Sequence, residues 1–343
     1  MHVKSASGAT AALGAPAARP CASVAPPAGA WHLPCMRIAS LLASATEIVY
    51  ALDLGDALVA ISHECDYPPE ALAKPRVSRP RFDPTGLSSG EIDAAVRDAM
   101  ARHGAVYALD EDRLRALRPD VILTQAVCEV CAVPTTLARE AARVLGPAVR
   151  VVSLDAHTLD DVLACVWTVA QAAGAAERGD RVVTALEARL ERVRRAVEGA
   201  ARPSVLAIEW LDPPFAPGHW VPEMIERAGG RSLAGTAGRP SRQVSWDDLA
   251  ALDPDVLVVM PCGFGLAQAR DDAQRHADRL ARVAPRAFAG GRAFVVDGSA
   301  YFNRSGPRVV DGVEILAALL HPERRPGVPL EGRSERLAVL SYR

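Results

Sequence analysis

Two stretches of this chain spell nearly the same pattern. Residues 112–125 read DRLRALRPDVILTQ and residues 247–260 read DDLAALDPDVLVVM. Each is an amphipathic segment, a turn of the form A-L-x-P-D-V, and an apolar run, with Asp120 and Asp255 in the same place. Helix, tight turn and β-branched strand in that order is the unit of layered α/β folds, where helices must cover the apolar faces of each strand. One short match does not establish duplication, but the rest of the chain is layered in the same way.

From Arg37 onward, short β-branched runs alternate with amphipathic stretches. Residues 37–42, 57–62, 120–125 and 149–154 read as strands, with helical patterns at 89–103, 109–117 and 133–145. The helix after the first strand is expected to open on a capping box, Ser44 with Glu47 three residues on. Residues 36–155 therefore form one α/β lobe. Residues 156–200 follow as helices, among them a long one with Val182, Val183, Leu186, Leu190, Val193 and Val197 on one face. Its other face carries arginines and glutamates, and no Gly or Pro interrupts it between Asp180 and Glu198. A rigid strut between lobes and an ordinary surface helix of one lobe both fit that pattern. Residues 201–322 form a second α/β lobe, with strands at 204–210, 255–261 and 293–298 and helices near 220–228, 246–252, 266–283 and 307–320. Residues 323–343, rich in Arg and Pro, read as a peripheral tail.

At 343 residues, half of them apolar and 23% charged, the chain is long enough for two domains with a substantial core. A formal net charge of -2 gives no electrostatic case for nucleic acid. No apolar run approaches the roughly 20 residues that cross a bilayer, so no membrane insertion is expected. Seven cysteines, an odd number, do not make a small disulfide scaffold, and a reducing, cytoplasmic setting is the expectation. Residues 1–35 carry no helical or strand period, and Pro16, Pro20, Pro26 and Pro27 interrupt any signal-like apolar run. They read as a disordered tail, or as sequence preceding a true start at Met36. A wrongly placed start would leave a periplasmic location open.

In open α/β sheets ligands bind outside the carboxyl ends of strands, where loops and helix N-termini converge. The unusual residues of this chain gather there: HECDYPP after the second strand, AVCEVC after 120–125, LDPPFAPGHW after 204–210, CGFG after 255–261 and SAYFNRSGPR after 293–298. Tyr67, Phe215, Trp220, Phe264, Tyr301 and Phe302 stand in these loops and suit a cleft with large apolar contact area. Cys65, Cys128, Cys131 and Cys262 share the same edge, with His63 and His219 nearby. Cys128 and Cys131 form the only C-x-x-C, so a paired structural zinc site lacks its second half. A metal site assembled across strand ends, a redox dithiol ahead of the 133–145 helix, and plain loop cysteines all remain open. No H-E-x-x-H, Walker loop or G-x-G-x-x-G is present. Glu209 and Asp212, flanking Trp210, are an unspecific acid/base pair. Gly306–Pro307, between Arg304 and Arg308, offers amides and charge to an anionic group.

The stretches SATEIVYALDLGDALVAIS, CDYPPEA, LRALRPDVIL, LDPPFAPG, MIERAGG, RQVSWDDLAALDPDVLVV and YFNRSGPR, in that order, resemble the cobalamin-binding class III substrate-binding proteins of ABC importers. The resemblance covers residues 37 to about 322. It implies two α/β lobes with mainly parallel central sheets, bridged by one long helix, with a ligand cleft between lobes that hinge little. It implies a non-catalytic monomer that requires no cofactor and holds a corrinoid or tetrapyrrole-sized metal chelate, with bound cobalamin or a metal ion possible. Tyr67, Phe215, His219, Trp220, Phe302 and Arg304 are the ligand-binding residues it suggests. Cys128, Cys131 or His219 would ligate the bound metal centre. Docking to an importer permease uses an acidic residue on each lobe; the first position is Asp112, whereas the second, after AGG, is Arg231. Residues 84–108 read as an insertion. Two rival readings follow from the same residues: a metal- or thiol-dependent enzyme using Cys65, Cys128, Cys131, Cys262 and Glu209, and an exported importer subunit for haem, siderophore or cobalamin.

Overall fold

The computed structural model describes residues 36–126, 135–324 and 328–338. The tail at 1–35 and the pair Cys128 and Cys131 lie outside the described residues.

The first lobe opens with β1 (Ile38–Ser40), α1 (Ala43–Ala51) and β2 (Leu58–Ile61), followed by β3 (Ser78–Pro80), α2 (Ser89–His103) and β4 (Tyr107–Leu109). It closes with α3 (Glu111–Leu117), β5 (Val121–Thr124), α4 (Thr135–Leu145) and β6 (Arg150–Ser153). The strands order β2-β1-β5-β6, all parallel, and β3 and β4 form a separate antiparallel pair. Next come α5 (Leu159–Ala172) and α6 (Ala176–Val197). The second lobe begins with β7 (Ser204–Ile208), β8 (Trp210–Leu211), β9 (Pro214–Ala216), α7 (Val221–Arg227), β10 (Arg231–Ser232) and β11 (Arg242–Gln243). It continues through α8 (Trp246–Ala250), β12 (Val256–Val259), α9 (Leu266–Arg275), α10 (Ala277–Val283), α11 (Pro285–Ala289), β13 (Ala293–Val296), α12 (Gly298–Tyr301), α13 (Val309–Leu320) and β14 (Ser334–Arg336). Its main sheet orders β10-β7-β12-β13-β14. Strands β5, β7, β12 and β13 are buried along their whole length, as parallel strands covered by helices on both faces must be.

The echo read from the sequence has one structural meaning in both lobes. Asp120 Oδ2 accepts the backbone N–H of Arg37, at 2.9 Å, just ahead of β1. Asp255 Oδ2 accepts the backbone N–H of Ser204, at 2.8 Å, at the start of β7. Each carboxylate fixes the entry of the neighbouring central strand, in register with the strand that it precedes. The sheets therefore start alike.

The long helix α6 is 22 residues, about 33 Å at 1.5 Å per residue. It packs on α5 and on α7 and α13 of the second lobe. A Cβ added to Gly179 would stand 2.6 Å from Ala170 Cβ, so glycine is what lets α5 and α6 cross this closely. Arg189 of α6 reaches Asp311 at 2.7 Å and Glu314 at 3.0 Å on α13. The helix is a bridge, and one apolar cluster runs through it from Ile38, Leu58 and Leu123 to Val205, Val258 and Phe302.

Three expectations change, and one stretch gains a structural meaning. Ser44 does not cap: α1 begins at Ala43 with Leu42 as N-cap and no side-chain cap, because Ser44 and Glu47 face the second lobe instead. The 266–283 helix breaks at His276, whose Nδ1 lies 3.0 Å from the Asp272 carbonyl oxygen and whose ring stacks on Trp246. Part of the tail placed at 323–343 is structural: β14 pairs antiparallel with β13 and forms the edge of the second sheet. Finally, the insertion is a strap. Helix α2 opens on a capping box of Ser88 and Glu91 and ends on left-handed Gly104. One stripe along it carries Val96 and Met100 onto the first lobe's core and Ile92 onto the second's. At its N-terminus the Ser89 N–H donates to Asp272 Oδ1 at 3.3 Å, and a Cβ on Gly90 would meet Asp212 Oδ2 at 2.7 Å.

Candidate functional site

The lobes meet through the loops at the carboxyl ends of their strands. The loop after β2 supplies His63, Glu64, Cys65, Asp66 and Tyr67, and the segment after β13 supplies Asp297 and Tyr301–Arg308. Between them stands a charge cluster assembled from both lobes. Arg304 donates Nη1 to Asp66 Oδ1 at 2.5 Å and Nη2 to Asp66 Oδ2 at 3.0 Å, and its Nη2 also reaches the Glu64 carbonyl at 3.3 Å. Arg308 donates Nε and Nη2 to the two oxygens of Glu47, at 2.9 and 2.6 Å. Such two-point forks match guanidinium to carboxylate geometry. Beside them Ser44 Oγ and Ser305 Oγ lie 3.2 Å apart. A Cβ on Gly306 would crowd Glu47 Oε2 at 3.2 Å, so the backbone here must come close.

Burial divides the cluster. The Glu47 side chain is 2% exposed and those of Arg304 and Arg308 are 12% and 16%, whereas Asp66 is 59% exposed. Burial, the largest single influence, raises the Asp66 carboxyl, but the hydrogen bond from Arg304 together with the charges of Arg304 and Arg308 outweighs it and holds the group below the usual carboxylate range. Asp297 moves the other way, raised chiefly by burial. For Arg304, burial opposes the charge and the Asp66 pair restores it, leaving the guanidinium more basic than usual.

The aromatic residues split into two groups. Tyr67 is 45% exposed, with the Arg308 guanidinium 4.1 Å from its ring centroid. Tyr301 is half-buried between Arg308 and Arg333, and Phe215 is half-buried on β9 beside β8 and β11. Phe302, by contrast, is fully buried, and its carbonyl accepts the Trp220 indole N–H at 2.7 Å. Phe264 is also core, edge-on to Trp210 at 5.1 Å. Trp220 and Phe302 are thus buried together, whereas Tyr67, Tyr301, Phe215 and Trp210 keep part of their surface exposed.

His219 is held with a left-handed backbone, φ 50°, by paired hydrogen bonds with the 238–239 turn. Its ring stands 5.7 Å from that of His157, in the connection between β6 and α5, and its Nδ1 is enclosed without a partner among the described residues. Burial first, then the nearby His157, pushes its pKa down.

Of the four thiols singled out, only Cys65 and Cys262 are among the described residues. Cys65 is buried, its Sγ 3.0 Å from Thr46 Oγ1 and 3.3 Å from Ser62 Oγ, and burial pushes its pKa up. A thiol in that environment is neither nucleophile nor ready ligand. Cys262 is half-buried in the turn after β12, where its N–H donates to the Glu209 carbonyl at 2.9 Å. Among the described residues no group of three His, Cys, Asp or Glu side chains is placed to hold a metal ion. Glu209 is buried and accepts the Ser241 hydroxyl, while Asp212 faces the strap, so they do not act as a pair. Asp112 is 93% exposed on α3, and Arg231 is exposed on β10. Surface hollows of about 420 and 480 Å³ flank α6 and include none of the aromatics, histidines or cysteines singled out from the sequence.

Sequence reasoning missed Glu47, Asp66, His157 and Ser305. Glu47 looked like a helix cap, and its partners lie 257 and 261 residues away, so no local pattern pointed to them.

Comparison with known proteins agrees with this architecture. The model of a family described as periplasmic binding protein matches residues 38–289. A vitamin B12-binding protein of Vibrio cholerae is 24% identical over 290 residues, covering 84% of this chain and 90% of its own. The crystal structure of the periplasmic vitamin B12 binding protein of Vibrio cholerae superposes with a TM-score of 0.62 at 23% identity, covering 84% of this chain and 98% of that one. A periplasmic heme binding protein from Pseudomonas aeruginosa gives the same TM-score and identity, covering 84% and 93%. At that identity the structural likeness shows the shared fold.

Proposed function

The chain belongs to the periplasmic binding protein family, and from that premise we propose that it binds a corrinoid, or a similar tetrapyrrole-sized metal chelate, at the seam between its lobes without catalysing a reaction. The observation that carries this reading is Tyr67, a large ring left 45% exposed in a loop where the two lobes meet. A flat chelate with broad apolar faces suits exposed rings at such a seam, and a rim of amides suits scattered polar donors. In this reading Tyr67, Tyr301 and Phe215 touch the ligand, and His219 is the candidate for its metal centre. Trp220 and Phe302, buried together, act only as support. The similarity to a vitamin B12-binding protein supports the corrinoid over other chelates.

The proposal includes a cytoplasmic setting, supported by the buried free thiols Cys65 and Cys165. Recovery of the protein with periplasmic rather than cytoplasmic markers on cell fractionation would overturn that part. Partnership with an importer permease would use the exposed Asp112, and Arg231 on the second lobe would weaken it by reversed charge.

Titration with hydroxocobalamin, followed by visible absorbance and calorimetry, tests the central reading. Saturable binding in the micromolar range is the expected result. A spectral change that His219→Ala abolishes would identify His219 as a ligand to the cobalt. Absence of saturation at tens of micromolar would sink the proposal.

A further inference from the structure

Both arginines at the seam are already matched, and the match comes from the opposite lobe. Glu47 takes Arg308 and Asp66 takes Arg304, each through two hydrogen bonds. The cations are the enclosed members, with side chains 12% and 16% exposed. The groups facing outward are carboxylates: Asp66 is 59% exposed and Glu64 is 40% exposed. A ligand arriving at Tyr67 therefore meets negative charge first.

We infer that this seam selects neutral or cationic chelates and rejects those that carry carboxylates, with Glu47 and Asp66 as the residues that set the preference. The inference rests on the binding reading above and adds the class of ligand. A porphyrin with propionate arms would have to approach Asp66 and Glu64, and to reach Arg308 it would have to displace Glu47. That displacement leaves a carboxylate whose side chain is 2% exposed with only the longer contact to Arg304, at 3.5 Å, and an under-compensated charge there is costly. Amide arms, like those around a corrin, carry no such penalty and can donate to the exposed oxygens of Asp66. Arg308 adds a second constraint. Its guanidinium lies 4.1 Å from the Tyr67 ring centroid while Glu47 holds it, so the arginine steadies the ring without being free to bind an anion. The two arginines in YFNRSGPR look like an anion site in sequence and are the reverse in structure.

The test compares cyanocobalamin and hemin by calorimetry on the full chain, wild type, Asp66→Asn and Glu47→Gln. The wild type is expected to bind cyanocobalamin at least about tenfold more tightly than hemin, because like charges across an interface disfavour the wrong partner. Each substitution is expected to raise the ratio of hemin to cyanocobalamin affinity by about tenfold or more. Asp66 is largely exposed, so its substitution keeps the test sound if Glu47→Gln lowers the folded fraction; melting curves of both variants verify this. Hemin binding as tight as cyanocobalamin, or an unchanged ratio in Asp66→Asn, overturns the inference while leaving chelate binding intact. Failure of both ligands to bind the wild type overturns the function itself and the inference with it.

Discussion

Glu47 of the first lobe and Arg308 of the second form a two-point fork across the seam, at 2.9 and 2.6 Å, with the Glu47 side chain 2% exposed. Removing Glu47 leaves the enclosed Arg308 without the carboxylate that it grips. Glu47→Ala is expected to destabilise the protein by about 3–5 kcal/mol, the usual result of breaking a buried pair. The paired change Glu47→Leu with Arg308→Met should recover most of that loss, and urea denaturation of the wild type and the two variants measures it. A double variant no better than Glu47→Ala contradicts this account.

Asp66 and Arg304 should behave differently, because Asp66 stands mostly in water. Asp66→Asn is expected to cost about 1 kcal/mol or less near neutral pH. Its pKa is lowered in the folded state, so its contribution is present above the ordinary aspartate value near 3.9 and is lost as pH falls through the depressed value. Wild type and Asp66→Asn should therefore converge in stability as pH drops below about 4. Melting temperatures across that range check the convergence.

His219 provides a second pH signature with a separate window. Its folded pKa lies below the ordinary histidine value near 6.5, through burial first and His157 second. Above that value the ring is neutral in folded and unfolded chains alike. As pH falls below it, the unfolded chain takes up the proton first and stability declines until the folded pKa is reached. His219→Asn should flatten this slope below pH 6.5, and asparagine is among the side chains that tolerate the left-handed backbone. Equal slopes in both proteins would show that another group titrates there.

The strap predicts a local effect. A side chain on Gly90 must push aside the Asp212 carboxylate, so Gly90→Val should lift the first turn of α2 away from the second lobe. Amide exchange is expected to quicken at residues 89–92 while remaining slow in β5 and β12. Slow exchange at 89–92 in the variant would argue against the docking contact.

Trp220 serves the fold whatever the ligand. Its indole N–H satisfies the Phe302 carbonyl in a closed environment, at 2.7 Å. Trp220→Phe leaves that oxygen without the bond and should cost about 1–3 kcal/mol, read from chemical denaturation.

Periodicity made the layers legible. The Ile38, Val121, Ser204 and Val256 strands were visible as β-branched runs, and the repeated P-D-V turn marked the two carboxylates that fix strand entry. Helix α2 was visible at its full length, because its cap and apolar stripe are local. The seam was not. Ser44 and Glu47 satisfy a local capping pattern, and only the fold shows that their side chains turn to Ser305 and Arg308. Phe302 and Trp220 were recognisable as aromatic loop residues, but exposure depends on what packs above them, and both are buried. The break at His276 was equally hidden, since it depends on Trp246, thirty positions earlier.

Ile92 enters the chain among first-lobe residues and comes to rest on the second lobe's core, where α2 meets β8. The ribosome therefore makes this residue well before its destination. At synthesis rates of about 5–20 residues per second, Asp272, the acceptor for Ser89, follows roughly 10 to 40 seconds later. Throughout that interval the nascent first half carries an uncovered apolar residue at the head of a complete helix. Its assembly ends only when the opposite half has emerged, so a fragment terminated after the first sheet inherits a contact that it has no means to make.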